Sequence, residues 1–205
     1  QHGLPIFVYD ADKIISQLSS LRSAFSELPV RVKYAIKALN NITVLKLLRE
    51  HGAEVDAVTK EELEIAQRAG YQANEILFTP NCAEYAEYQF AVSQGAQINI
   101  DSLSILEKFG QEFGSDIPCC IRINPHILAG GHKKIQVGHS DSKFGISLFQ
   151  IKEILEIVKL YQMRINGLHM HTGSDILEAE VFVHGARILF DIAKNFPEIS
   201  FIDIG

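Results

Sequence analysis

The sequence predicts an α/β fold, a (β/α)8 barrel of the TIM type, and three observations carry that reading. Short apolar, strand-like runs open at Val32, Glu54, Ile76, Gln97 and Cys119, roughly 22 residues apart, with helical periodicity filling most of each interval. Strands that alternate with helices at such short spacing pair in parallel. The turn after the first strand reads Lys37-Ala38-Leu39-Asn40-Asn41 and has none of the glycines that an open nucleotide-binding sheet carries there, which favours closure into a barrel.

The elements follow in order. Residues 1–31 are expected to form a lead-in strand and helix, and residues 32–205 the barrel. Along Val32 to Ala38 side chains alternate, so Val32, Tyr34 and Ile36 share one face while Lys33, Ala35 and Lys37 share the other. Asn41 to His51 carries Val44, Leu45, Leu47 and Leu48 at helical spacing, with Gly52 where a helix should stop. Lys60 to Gly70 repeats that plan, with acidic residues in its first turn and Leu63, Ile65, Ala66 and Ala69 as the buried stripe. Helices Ala83 to Gly95 and Ser102 to Phe113 each end at glycine, and Leu148 to Tyr161 places Ile151, Ile154, Leu155 and Val158 on one face. Strands Ile165 to His171 and Phe201 to Gly205 bring the visible total to seven. A closed barrel needs an eighth, so the expectation is a barrel whose last strand lies outside these 205 residues.

Composition bounds the partners. A net charge of -6 without a basic stripe offers no footprint for nucleic acid, and the expected ligand is a small molecule. No apolar run approaches the roughly 20 residues that span a bilayer, and the N-terminal stretch lacks the pattern of an export signal. Cys82, Cys119 and Cys120 are an odd number without metal-ligand spacing, which suits a reducing cytoplasm.

In a barrel the functional site is assembled where strands end. Asp56, Asp101, Arg122, Asn124, His169, His171 and Asp203 occupy those ends, together with Lys37. A lysine held in a partly desolvated site loses proton affinity and becomes a nucleophile, as Schiff-base chemistry with a carbonyl cofactor requires. Asp101 reads first as a helix cap, and Asp56 equally as cap or site. His169 and His171 share one strand face, but no third ligand accompanies them and no metal is expected. His171-Thr172-Gly173-Ser174 is the sort of turn that receives a phosphate. The long polar segment Pro125 to Ser142, with Gly130, Gly131, Gly138, His126, His132 and His139, reads as a lid. Its far end, Lys143-Phe144-Gly145-Ile146, is expected to anchor in the core through Phe144 and Ile146 while Lys143 faces polar ligand.

Five ordered motifs carry a family resemblance: Tyr34-Ala35-Ile36-Lys37-Ala38, Asp56 with Thr59 and Glu61, Arg122-Ile123-Asn124-Pro125, Ser142-Lys143-Phe144-Gly145, and His169-Met170-His171-Thr172-Gly173-Ser174. Together they resemble the alanine-racemase-like, fold-type III decarboxylases that use pyridoxal 5'-phosphate. Within that group, Asn124-Pro125-His126 and Gly131-His132-Lys133-Lys134-Ile135 through Lys143-Phe144-Gly145 tilt the resemblance to the diaminopimelate decarboxylases. The resemblance implies decarboxylation of meso-diaminopimelate to L-lysine and carbon dioxide, the last step of lysine biosynthesis. Lys37 would hold the cofactor covalently, His171 would stack on its ring, Ser174 would help bind its phosphate, and Asp56 with Arg122 would support the lysine and the ring substituents. Gly205 would open the glycine-rich phosphate turn, and His132 matches a histidine of the family's mobile loop near substrate, with Lys143 beside it.

Departures accompany the likeness. Leu39 stands before Asn40, where the family commonly runs directly from Lys-Ala to Asn, and Val137 stands where a threonine often precedes the loop glycine. The family also has an eighth strand and a C-terminal β domain, and a homodimer that shares its active sites; these 205 residues alone are expected to be inactive. Three alternatives stay open: an ornithine- or arginine-type decarboxylase, a racemase-like enzyme, or a non-catalytic homologue that binds a partner enzyme.

Overall fold

The computed structural model describes residues 3–127, 144–174 and 176–205, in two compact units, Gln1–Leu77 and Phe78–Gly205. His132, Lys143 and the remainder of the expected lid from residue 128 to Ser142 lie outside the described residues.

In the first unit, residues 3–10 carry neither helix nor strand, and α1 (Ala11–Ala24) begins where the Asp10 side chain accepts the Lys13 N–H. Then follow β1 (Lys33–Ala35), α2 (Ile42–Glu50), β2 (Glu54–Ala57) and α3 (Lys60–Arg68). β1 and β2 pair in parallel, with Lys33 beside Glu54, Tyr34 beside Val55 and Ala35 beside Asp56. Leu18, Val44, Leu48 and Ala53 form the core between α1, α2 and this pair, with Ile14, Val32, Tyr34 and Leu39 packed onto it. Asn41 starts α2 by accepting from the Thr43 and Val44 N–H groups. β3 (Ile76–Phe78) is fully buried and leads into the second unit.

The second unit contains α4 (Tyr85–Ser93), β4 (Gln97–Ile100), α5 (Leu103–Phe113), β5 (Cys119–Asn124), β6 (Ile146–Ser147), α6 (Ile151–Leu160), β7 (Ile165–His169), α7 (Ala179–Ala193) and β8 (Phe201–Asp203). β4, β5, β7 and β8 are consecutive parallel neighbours, and the short β6 pairs with the end of β5 at Ile123 and Asn124. All six residues of β5 are buried, as a strand covered on both faces requires. α7 is an element that the strand-and-helix spacing did not reveal. Gly185 lies on its buried side, and a Cβ there would come within 2.4 Å of the Met170 sulfur, so the glycine lets the helix lie close on the strand end.

One device ends four of the helices. In α2, Gly52 and Ala53 donate back to Arg49 and Leu48. In α3, Gly70 and Tyr71 donate to Gln67 and Ala66, and in α4, Gly95 and Ala96 donate to Val92 and Ala91. This pair of hydrogen bonds closes a helix through a left-handed residue and buries the one after it; Ala53, Tyr71 and Ala96 are all buried. α6 ends in the same way with Gln162, at φ 53, in the glycine position, while Met163 donates to Val158. No described helix is long and apolar enough to cross a membrane.

Candidate functional site

In the first unit the strand-borne lysine needs correction. β1 ends at Ala35, and Ile36–Ala38 forms a 3-10 turn closed by the Leu39 N–H donating to the Ile36 carbonyl at 3.0 Å. Ile36 is fully buried and takes the core position, which swings Lys37 out to an exposed one. Lys37 therefore stands on a turn rather than at the end of a strand, and it is exposed among these 205 residues. Its strand neighbour differs: Lys33 Nζ lies 2.6 Å from Glu54 Oε2, half-buried, with Arg31 on the other carboxylate oxygen at 2.5 Å. Asp56, half-buried at the end of β2, sits beside Ala35. It does not cap α3. Thr59 does so by accepting the Glu62 N–H, while Glu62 Oε2 accepts the Val58 N–H at 2.8 Å.

In the second unit the strand ends of β5, β7 and β8 align. The register sets Arg122 beside His169 and His169 beside Asp203, one row across three strands. Arg122 and His169 are both buried. β7 stops at His169, so His171 does not share a strand face with it; His171 stands two residues further on, half-buried in the connection to α7. Gly205 comes directly against it. A Cβ on Gly205 would lie 2.9 Å from His171 Nδ1 and 2.8 Å from the Met170 carbonyl oxygen, and the residue has φ +93. Any side chain would strain the turn and occupy the space beside the imidazole. Asp203 shapes this turn by accepting the Gly205 N–H at 2.9 Å, and its carbonyl accepts the Met170 N–H. Thr172, 1 % exposed, buries a hydroxyl with no hydrogen-bond partner among the described residues, and Ser174 is exposed just beyond. A glycine turn, an imidazole beside it and an unspent buried hydroxyl fit a cofactor with a ring and a phosphate.

Several participants were not evident in the sequence. Asn81 accepts a hydrogen bond from Arg122 Nη1. The Phe144 ring centroid lies 5.3 Å from the Arg122 Cζ, so Phe144 anchors as expected but does so on the guanidinium, while Ile146 is buried in β6. Asp101 is not a helix cap. Ser102 holds the position before α5, and the buried Asp101 carboxylate instead accepts from Tyr88 Oη at 3.1 Å and the Cys82 N–H at 3.2 Å. Burial and that carboxylate hold the Tyr88 hydroxyl well above the usual tyrosine range. Burial likewise pushes the Cys119 thiol up to about 12 and raises Cys120, so neither is a nucleophile near neutral pH. Asn124 Oδ1 accepts the His126 N–H, and His126 Nε2 lies 2.7 Å from Ser147 Oγ, which ties the start of the expected lid to β6. Among the described residues no group of three acidic, histidine or cysteine side chains is placed to hold a metal.

Comparison with known proteins agrees with this chemistry. The family profile described as pyridoxal-dependent decarboxylase, pyridoxal binding domain, matches residues 11–205. A curated diaminopimelate decarboxylase of Archaeoglobus fulgidus is 32% identical over 211 residues, which cover 99% of this chain and 50% of that protein. The crystal structure of diaminopimelate decarboxylase from Helicobacter pylori complexed with L-lysine matches with a TM-score of 0.89 at 29% identity, covering 100% of this chain and 54% of that one. Lysine/ornithine decarboxylase from Vibrio vulnificus, complexed with putrescine, matches with a TM-score of 0.82 at 27% identity, covering 100% of this chain and 53% of that one. The chain thus spans about half the length of the curated relatives it matches, and its parallel α/β fold is the one these enzymes share.

Proposed function

The chain belongs to the pyridoxal-dependent decarboxylases, and on that premise we propose that the full-length protein decarboxylates meso-diaminopimelate to L-lysine and carbon dioxide, the last step of lysine biosynthesis. The observation that carries the reading is the Gly205 turn set against His171, with the buried Thr172 hydroxyl beside it in sequence. Bound pyridoxal phosphate supplies an electron sink for the carbanion left when carbon dioxide departs.

The chain's own residues take the remaining roles. Lys37 anchors the cofactor covalently, and its exposed turn leaves the amine accessible to a carbonyl and able to yield to a substrate amine. His171 stacks on the ring, with Gly205 close against it. Gly205 and Ser174 bind the phosphate, and Asp56 and Arg122 orient the lysine and the ring substituents. His132 and Lys143 contact substrate. The active protein is a cytoplasmic homodimer.

A second reading, decarboxylation of ornithine or a related basic amino acid, is favoured by the likeness to the Vibrio vulnificus enzyme. Carbon dioxide release by the full-length protein with pyridoxal phosphate, on meso-diaminopimelate, ornithine and arginine in parallel, decides between them. Release from meso-diaminopimelate alone, lost in Lys37→Ala, is the expected result. Release from ornithine or arginine moves the enzyme to polyamine metabolism, and no release from any substrate contradicts an enzymatic role.

A further inference from the structure

We propose that Asn81 and Phe144 are positioning residues that fix the Arg122 guanidinium in one orientation, and that Asp101 acts through Asn81 by setting the backbone that presents it. The inference about orientation stands on geometry, and its value for cofactor binding rests on the function proposed above.

Arg122 is 5 % exposed, and a buried guanidinium needs its N–H groups and its flat faces occupied. Asn81 supplies an amide oxygen to Nη1, and Phe144 supplies a ring. One contact restricts rotation about the side chain and the other restricts tilt.

Asn81 lies on an irregular segment that has to be held. Its neighbour Cys82 has φ 54, a backbone conformation uncommon for a residue with a side chain. The Cys82 N–H is bound by Asp101 Oδ2, and the other oxygen of the same carboxylate accepts from Tyr88 Oη. The buried carboxylate thus ties the segment to α4 and β4, and the Asn81 amide is delivered to Arg122 as a result. On the other side, Gly145 lets the chain after Phe144 lie on β5; a Cβ there would meet the Asn124 nitrogen at 3.1 Å and the Arg122 carbonyl at 3.2 Å.

Arginine side-chain NMR of the cofactor-free protein, paired with a pyridoxal phosphate titration, tests this. Hindered Arg122 Nη signals are expected in the wild type, averaged signals in Asn81→Ala, and hindered signals again in Asn81→Asp, which keeps the acceptor oxygen. Asn81→Ala should weaken cofactor affinity about tenfold and Phe144→Leu about threefold, with no further loss when either is combined with Arg122→Lys. Unchanged Arg122 signals in Asn81→Ala, or losses that add fully to that of Arg122→Lys, would overturn the proposal. A wild-type protein that binds no pyridoxal phosphate would contradict the proposed function alone, because the cofactor-free NMR comparison still decides the positioning role.

Discussion

The end of β1 and the ends of β5, β7 and β8 solve opposite problems. At β1 the chain leaves the strand through a tight turn, buries Ile36 and turns Lys37 out, exposed, while the neighbouring Lys33 is tied to Glu54. At β5, β7 and β8 the polar residues Arg122, His169 and Thr172 are buried, and Gly205 is packed against His171. Under the function proposed above, the first region would carry the covalent anchor, which must change partners, and the second the cradle for a ring and phosphate, which should be in place beforehand.

Four substitutions break or sharpen that comparison. Lys37→Ala should lower carbon dioxide release by more than about a thousandfold, yet shift stability by less than about 0.5 kcal/mol because the side chain is exposed; activity assay and denaturant unfolding of the same preparation check both. Gly205→Ala forces a Cβ against the Met170 carbonyl and His171 at positive φ. It should cost about 1–3 kcal/mol of local strain, read as a cofactor affinity weakened roughly tenfold or more. Gly167→Ala places a Cβ 2.2 Å from the Phe201 ring between β7 and β8, and urea unfolding should show a loss of about 1–3 kcal/mol. Gln162→Gly at the end of α6 relieves a left-handed residue, and the same measurement should show a gain of about 0.5–1 kcal/mol.

The buried thiols add a pH dependence. With the Cys119 thiol raised to about 12 in the folded protein and an unfolded value near 8.5, the unfolded chain loses its proton first as pH rises. Its contribution to stability is therefore complete below about pH 8.5 and declines between there and about pH 12. Alkylation at mildly alkaline pH should label Cys82, which is exposed, and leave Cys119 and Cys120 protected until the protein unfolds.

Much of this was legible in the sequence, for local reasons. Gly52, Gly70 and Gly95 marked helix ends because the closing turn there needs a left-handed residue, and the apolar stripes of α2, α3 and α6 matched the helical period. Lys37 was singled out by its motif but placed on the strand by alternation, whereas it lies on a turn, since the turn at Ile36 depends on which side chain the core accepts. Asp101 looked like a cap because a carboxylate before a helix usually is one. Its partners, Tyr88 and the Cys82 backbone, lie 13 and 19 residues away, and only the fold brings them together. Asn81 carried no signal of its own, as a neutral amide in a loop matches no spacing rule. α7 escaped notice although its apolar residues keep a helical period, and what Gly185 does there, close against Met170, shows only in the fold.

Reductive trapping tests the contrast between the two regions most directly. The full-length protein is incubated with pyridoxal phosphate, reduced with borohydride and mapped by peptide mass spectrometry. The predicted result is one pyridoxyl group on Lys37, with Lys33 unmodified. Modification of Lys33, or of neither lysine, would contradict the assignment of the exposed turn as the cofactor's anchor.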